Sequence, residues 1–228
     1  MTELLFFKDC YVKEFDSKII ENNGDYVVLD KTAFYPISGG QPSDTGFLNN
    51  SKVIEVRKKD GKIMHFVDKP VESLEVHGII DWDKRYKHMR MHTAQHLISA
   101  IILDKWGAST VGNNISYDKS RLDFIPFKPD KEDLEYIKKK FNGYVDARIE
   151  VKIYEESREE VMRTVDERRR KLFDRVPVQK VRIIEIVGLD KCPCGGTHVK
   201  NTSEIGHINI LDVVNKGKEI TRLSFELI

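Results

Sequence analysis

The hydrophobic period of this chain changes at Asp81-Trp82-Asp83, and that change limits what the chain can fold into. Before it lie short strand-like runs punctuated by turns: Tyr26-Val27-Val28-Leu29, Lys52 to Arg57, Lys62 to Val67 and Leu74 to Ile80. Asp60-Gly61, between the second and third of these, reads as a hairpin turn, and no helix is expected in this region. After the change, Met89, Ala94, Leu97, Ile98, Ile101 and Ile102 recur at helical spacing as far as Trp106. Asp81 or Asp83 can cap the start of that helix, and Gly107 is placed to stop it. A small all-β region hides its strand edges by closing on itself. The expectation is therefore a β-barrel-like domain over residues 1–86 and a second domain over residues 87–228.

The second domain reads as α+β. Val145, Ala147, Ile149, Val151 and Ile153 alternate with polar residues and predict a half-buried strand. A charged helix is expected from Ser157 to Asp174, stopped by Pro177. Val181 to Val187 reads as a buried strand, Gly188 to Thr197 as a loop, and Ile208 to Val214 with Ile220 to Leu227 as a closing hairpin around Asn215-Lys216-Gly217. Between Thr32 and Gly46 runs a segment too rich in Gly and Pro to be strand or helix, Thr32-Ala33-Phe34-Tyr35-Pro36-Ile37-Ser38-Gly39-Gly40-Gln41-Pro42-Ser43-Asp44-Thr45-Gly46.

Charge and composition narrow the class. The 228 residues carry 38 Lys plus Arg against 37 Asp plus Glu, which argues against a strongly basic nucleic-acid coat. Residues 1–86 hold 12 basic and 15 acidic side chains, net −3, and residues 87–228 hold 26 and 22, net +4, so any basic surface belongs to the second part. The longest uncharged apolar stretch, Leu97 to Leu103, is too short to cross a bilayer. The N-terminus lacks the order of a signal peptide, so a cytoplasmic protein is expected.

Two segments a hundred residues apart carry the chemistry. His92-Thr93-Ala94-Gln95-His96 puts two imidazoles four residues apart on the expected helix, so both project from one face. Alone, such a pair is as well explained by two histidines satisfied by water or carboxylates. Cys192-Pro193-Cys194-Gly195-Gly196-Thr197-His198 adds thiolate and imidazole donors on a tight loop. Three imidazoles and one thiolate form a donor set suited to tetrahedral Zn²⁺. Three cysteines, two of them in this segment, do not suit a disulfide framework. Cys194 is favoured over Cys192 because its spacing to His198 repeats that of His92 to His96. Cys192 can still replace it, support it, or be a small buried residue. His207 reads as structural or exposed.

Met91-His92-Thr93-Ala94-Gln95-His96-Leu97 together with Cys194-Gly195-Gly196-Thr197-His198-Val199 resembles the HxxxH and CxxxH pair of the alanyl-tRNA synthetase editing domain. The glycine-rich segment from Thr32 to Gly46, Thr202-Ser203-Glu204-Ile205-Gly206, and the stretch from Gly217 to Arg222 resemble further parts of the free-standing relatives of that domain, the AlaX family. Possession of the glycine-rich domain and the overall length resemble the medium form, AlaX-M.

The resemblance implies a zinc-containing editing domain of the threonyl/alanyl-tRNA synthetase second additional domain type, and a trans-acting hydrolase of tRNA(Ala) mischarged with serine, and in some members glycine. It implies His92, His96, Cys194 and His198 as the zinc ligands. Zinc in such a site can activate a water, polarise the ester carbonyl or anchor the substrate; no general base stands out. Thr32 matches the family threonine that recognises serine, beside the plainer account of a β-branched residue at a strand end. Gly39, Gly40 and Gln41 are candidates for substrate contact, which a tight turn explains equally well. For the tRNA backbone the candidates are Lys84, Arg85, Lys87 and Arg90 and the cluster Arg168, Arg169, Arg170 and Lys171. Glu159, Glu160, Asp166, Glu167 and Asp174 can neutralise much of the latter. The competing expectations are a non-catalytic zinc-stabilised tRNA-binding module, and editing of a different mischarged tRNA.

Overall fold

The computed structural model describes residues 2–165, 167–173 and 178–228, without the side chains of Lys171 and Leu172. Pro177, expected to end a helix, and Asp166 and Asp174, expected to offset the basic cluster, lie outside the described residues, as does the side chain of Lys171. The chain divides into two compact units, Met1–Met89 and Arg90–Ile228.

The first unit contains β1 (Glu3–Leu4), α1 (Leu5–Lys8), β2 (Glu14–Asn22), β3 (Tyr26–Leu29), β4 (Lys31–Thr32), β5 (Gly46–Leu48), β6 (Ser51–Lys59), β7 (Lys62–Val67) and β8 (Glu75–Ile80). Six of them pair in a closed ring, β2-β3-β7-β6-β5-β8, which leaves no free edge among those strands. Strict alternation in β7 and β8 turns one face of each inward. Phe15, Val27, Leu29, Phe34, Leu48, Val53, Val56, Ile63, Val76 and Ile80 form the core. Asp60 and Gly61 have φ of 51° and 75°, the two positive values that a tight hairpin between twisted strands requires. At Gly46 a Cβ would stand 2.0 Å from the Ile79 carbonyl oxygen, so only glycine lets β5 lie against β8. The single turn of α1 was not expected.

Helix α2 (Trp82–Trp106) follows. Asp81 Oδ1 accepts from the Lys84 amide at its start, and Gly107, at φ 67°, donates back to the Leu103 carbonyl at its end. Every residue from Met91 to Ala100 is buried, so the helix is an interior element.

The second unit adds β9 (Ser109–Asn114), β10 (Ser120–Ile125), α3 (Lys131–Asp146), β11 (Val151–Ser157), α4 (Arg158–Thr164), α5 (Arg170–Phe173), β12 (Lys180–Ile186), β13 (Asp190–Pro193), β14 (Ile208–Gly217) and β15 (Ile220–Leu227). They make a four-stranded sheet, β14-β15-β10-β9, and a three-stranded sheet, β11-β12-β13.

Four expectations are corrected here. The strand drawn through Val145 begins only at Val151, because Val145 and the preceding turns belong to α3, capped by the reciprocal Asp130 and Asp133 pair. The helix drawn from Ser157 to Asp174 is broken: Ser157 caps α4, and Val165, at φ −79° and ψ 145°, is extended. A short 3₁₀ turn, Glu167–Arg169, precedes α5. The loop from Gly188 holds the strand β13. The final hairpin reverses at Lys218 and Glu219, at φ 49° and 61°, and not at Asn215-Lys216-Gly217.

Candidate metal centre

Local structure brings the two motifs together. One helical turn of α2 separates His92 from His96, and both rings project from one face. β13 pairs with β12 so that Cys192 lies opposite Ile184, and the chain then leaves the sheet at Cys194. Arg182 on β12 clamps that exit: its Nη1 donates to the carbonyl oxygens of Cys194 at 2.6 Å and Gly196 at 2.9 Å, and its own carbonyl accepts from the Cys194 amide. His198 follows on the same loop.

The ligand atoms of His92, His96, Cys194 and His198 all lie within 4.8 Å of one another. Cys194 Sγ is 3.5 Å from His92 Nε2 and 3.4 Å from His198 Nε2. Tetrahedral bonds of about 2.3 Å to sulfur and about 2.1 Å to nitrogen would separate those atoms by roughly 3.6 Å. The three imidazoles are buried and Cys194 is half-buried. The donors therefore fit a zinc ion in type, number and spacing.

Electrostatics point the same way. Burial alone would raise the Cys194 thiol, but the facing His92 and His198 imidazoles outweigh it and hold its pKa well below the usual thiol range. The Gly196 amide also points at Cys194 Sγ, at 3.3 Å. Burial and the charge of neighbouring His92 push His198 well below the ordinary imidazole value, keeping it a neutral donor. His96 behaves oppositely. Burial opposes its charged form, yet the Cys192 and Asp190 side chains raise its pKa well above the ordinary value.

The supports of these rings were not legible in the motifs. Asp190 Oδ2 lies 3.2 Å from His96 Nδ1, so that nitrogen keeps its proton and Nε2 is left for a metal. Arg169 Nη2 stands 2.6 Å from Asp190 Oδ1. Thr93 Oγ1 faces His198 Nδ1 at 3.1 Å and accepts from the Val199 amide. One signal for Asp190 existed: it is two residues before Cys192, hence on the same side of a strand. Cys192 is buried beside His96 Nδ1 at 3.0 Å, on the Asp190 side, and donates toward Asp190. Burial first, and the Asp190 carboxylate second, push its pKa up and keep it a thiol. Cys192, His96 and Asp190 also form a separate convergent trio. His207 pairs with Asp146 outside both groups.

The other candidate residues are dispersed. Thr32 is fully buried in the first unit, its hydroxyl 2.8 Å from His65 Nε2 and accepting from the Phe34 amide. Gly39 and Gly40, at φ 56° and 84°, form an exposed two-residue reversal closed by reciprocal Ser38 and Gln41 backbone bonds, and Gln41 is buried. Lys84 and Lys87 are exposed, the former against Asp81 and Thr45. Arg90 is half-buried, its Nε on the Ile205 carbonyl. Arg168 and Arg170 are exposed, with Arg168 Nη1 on the Leu103 carbonyl. Two of the cationic candidates are corrected. Arg85 is fully buried, its guanidinium committed to Asp44 and to the Cys10 and Ala33 carbonyls. Arg169 turns inward onto Asp190, with 11% of its side chain exposed. Among the described residues no helix is long and apolar enough to cross a membrane.

A family model for the threonyl and alanyl tRNA synthetase second additional domain matches residues 181–224, and one for class II (A) tRNA synthetases matches residues 5–84. The alanyl-tRNA editing protein AlaX-M of Methanosarcina barkeri is 41% identical, with the whole of both chains covered. AlaX-M of Saccharolobus solfataricus is 43% identical over 99% of this chain and 98% of its own. The longer AlaX-L of Pyrococcus horikoshii is 34% identical over 99% of this chain and 58% of its own. Identity of this order over the full length of both chains shows the family, and the chain belongs to the AlaX-M family.

Proposed function

We propose that this protein is a zinc-dependent trans-editing hydrolase that cleaves the aminoacyl ester of tRNA(Ala) mischarged with serine, and also with glycine. The observation that carries the reading is the convergence of His92, His96, Cys194 and His198 in a chain whose full-length relatives are named alanyl-tRNA editing proteins. Zinc held there would supply a Lewis acid, able to activate a water, polarise the ester carbonyl or anchor the substrate. The protein's own work is to hold that ion: Asp190 fixes the tautomer of His96, Thr93 orients His198, and Arg182 ties down the loop between Cys194 and Gly196.

Thr32 senses the serine hydroxyl, because a site built to hydrogen-bond that group is left with an unpaired partner when alanine enters. Gly39, Gly40 and Gln41 shape the approach of the substrate. Lys84, Lys87, Arg90, Arg168, Arg170 and Lys171 hold tRNA phosphates, a contact that weakens with salt. The protein works in the cytoplasm, where charged tRNA is consumed.

A second reading follows from the number of donors. Four protein ligands complete a tetrahedral shell as structural zinc sites do, which suits a zinc-stapled tRNA-binding module without chemistry. Incubation with Ser-tRNA(Ala), Gly-tRNA(Ala), Ala-tRNA(Ala) and Ser-tRNA(Thr), following release of the amino acid, separates the readings. Hydrolysis of the first two and sparing of the third is expected. Tight binding with no release from any of them would establish the module, and release from Ser-tRNA(Thr) alone would move the activity to a different tRNA.

A further inference from the structure

The interior of the barrel holds one polar pair whose proton positions can be deduced. His65, on β7, and Thr32, on β4, are both fully buried. His65 Nδ1 lies 3.2 Å from the Val27 carbonyl oxygen. A carbonyl only accepts, so Nδ1 carries the proton and Nε2 of the neutral ring is an acceptor. The Thr32 hydroxyl, 2.8 Å from Nε2, must then donate to it. Thr32 Oγ1 in turn accepts from the Phe34 amide at 3.1 Å. The edge-on contact of the Phe34 ring, 5.6 Å away at 77°, packs the imidazole in this orientation.

Of the three hydrogen-bonding positions of a hydroxyl, two are thus committed: its proton to His65 and one lone pair to Phe34. What remains is one lone pair, which can accept and cannot donate. We infer that His65 is a positioning residue that makes Thr32 an obligate acceptor, so that a substrate hydroxyl is recognised only by donating to it. The inference rests on the reading of Thr32 as the serine sensor. Its consequence is a selection rule for the substrate side chain. Serine satisfies the open lone pair; alanine does not, and 3-fluoroalanine, similar in size to serine but without a proton to give, does not either. Without an acceptor at position 65 the Thr32 hydroxyl is free to turn, and the rule is lost.

Two measurements test this. Long-range ¹H–¹⁵N NMR of the intact zinc-loaded protein, with His65 assigned by its loss in His65→Gln, should show the Nδ1–H tautomer; the Nε2–H tautomer would overturn the inference without any substitution that risks the fold. Deacylation of seryl-, alanyl- and 3-fluoroalanyl-tRNA(Ala) should then be compared for the parent protein, Thr32→Val, His65→Leu and His65→Gln, with zinc content and melting temperature followed throughout. Thr32→Val and His65→Leu should each lose the serine preference at least 10-fold. His65→Gln, whose amide can offer both an acceptor and a donor, should keep it within about threefold, a rescue that a merely structural role does not require. The parent should treat 3-fluoroalanyl-tRNA(Ala) as it treats the alanyl form. A lost preference in Thr32→Val beside an intact one in His65→Leu removes the inference alone. An intact preference in Thr32→Val removes the serine reading of Thr32 and the inference with it.

Discussion

Each unit of this protein buries a group of histidine and hydroxyl or thiol side chains, and the two groups are completed in opposite ways. In the barrel, Thr32, His65, Val27 and Phe34 close their hydrogen bonds among themselves, and His65 is neutral, its pKa pushed down to about 4 by burial. In the second unit, three imidazoles and a thiol point their donor atoms at one another, and their protonation equilibria are pulled in opposing directions. Buried polar groups are tolerated when their partners are present. The first group has them in the protein; the second lacks one that a cation would supply, and in the proposed reading metal binding would couple to folding there.

The strongest test of that contrast removes a donor from the incomplete group. Cys194→Ala and His96→Ala should each abolish stoichiometric zinc and lower hydrolysis by several orders of magnitude, read by metal analysis and by deacylation of Ser-tRNA(Ala). Full zinc in Cys194→Ala would transfer the ligand role to Cys192. Next in size is the support of His96: Asp190→Asn should weaken zinc about 10–100-fold in chelator competition while leaving the secondary structure intact. Unchanged affinity there would mean that the contact between Asp190 and His96 orients nothing.

The complete group is tested by pH. The folded pKa of His65 is depressed to about 4 from an unfolded value of 6.5, so between those values the unfolded chain binds a proton that the native chain does not. Its contribution is present above pH 6.5 and is lost as pH falls toward 4, up to roughly 3 kcal/mol. Comparing parent and His65→Gln in urea melts at pH 7 and pH 4 isolates this group, because metal loss affects both alike. A stability difference that does not narrow toward acid would contradict a neutral buried His65. The smallest effect is expected of Cys192→Ala. This thiol lies on the Nδ1 side of His96, outside the set of four, so zinc should remain stoichiometric with an affinity within a few-fold of the parent. Loss of the ion would merge the two convergent groups into one.

What the chain discloses in advance follows the range of the interaction. The limits of α2 are local chemistry, an Asp81 cap and a Gly107 stop, and both are readable, as are β3, β7 and the Asp60-Gly61 turn. Val145 to Ile153 misled because an alternating run crosses the end of α3, where Leu134, Ile137, Phe141 and Val145 continue a helical spacing that starts from the Asp130 cap. The break at Val165 and the reversal at Lys218 and Glu219 fall on residues that are neither Gly nor Pro, so nothing in the residue types marks where they occur. The same division runs through the site. Histidine and cysteine in paired spacing declare themselves. Asp190 and Thr93, which orient the rings, are ordinary residues until β13 is laid beside α2. Arg85 and Arg169 read as phosphate contacts because sequence counts charges and does not see Asp44 or Asp190 buried against them.

The central claim, that this protein edits aminoacyl-tRNA through the ion held by His92, His96, Cys194 and His198, is tested most directly on the intact protein by stripping and restoring metal. Zinc should be present at one ion per chain; chelation should remove it and Ser-tRNA(Ala) hydrolysis together, and one equivalent of zinc should restore both. Undiminished hydrolysis by the metal-free protein would contradict the account.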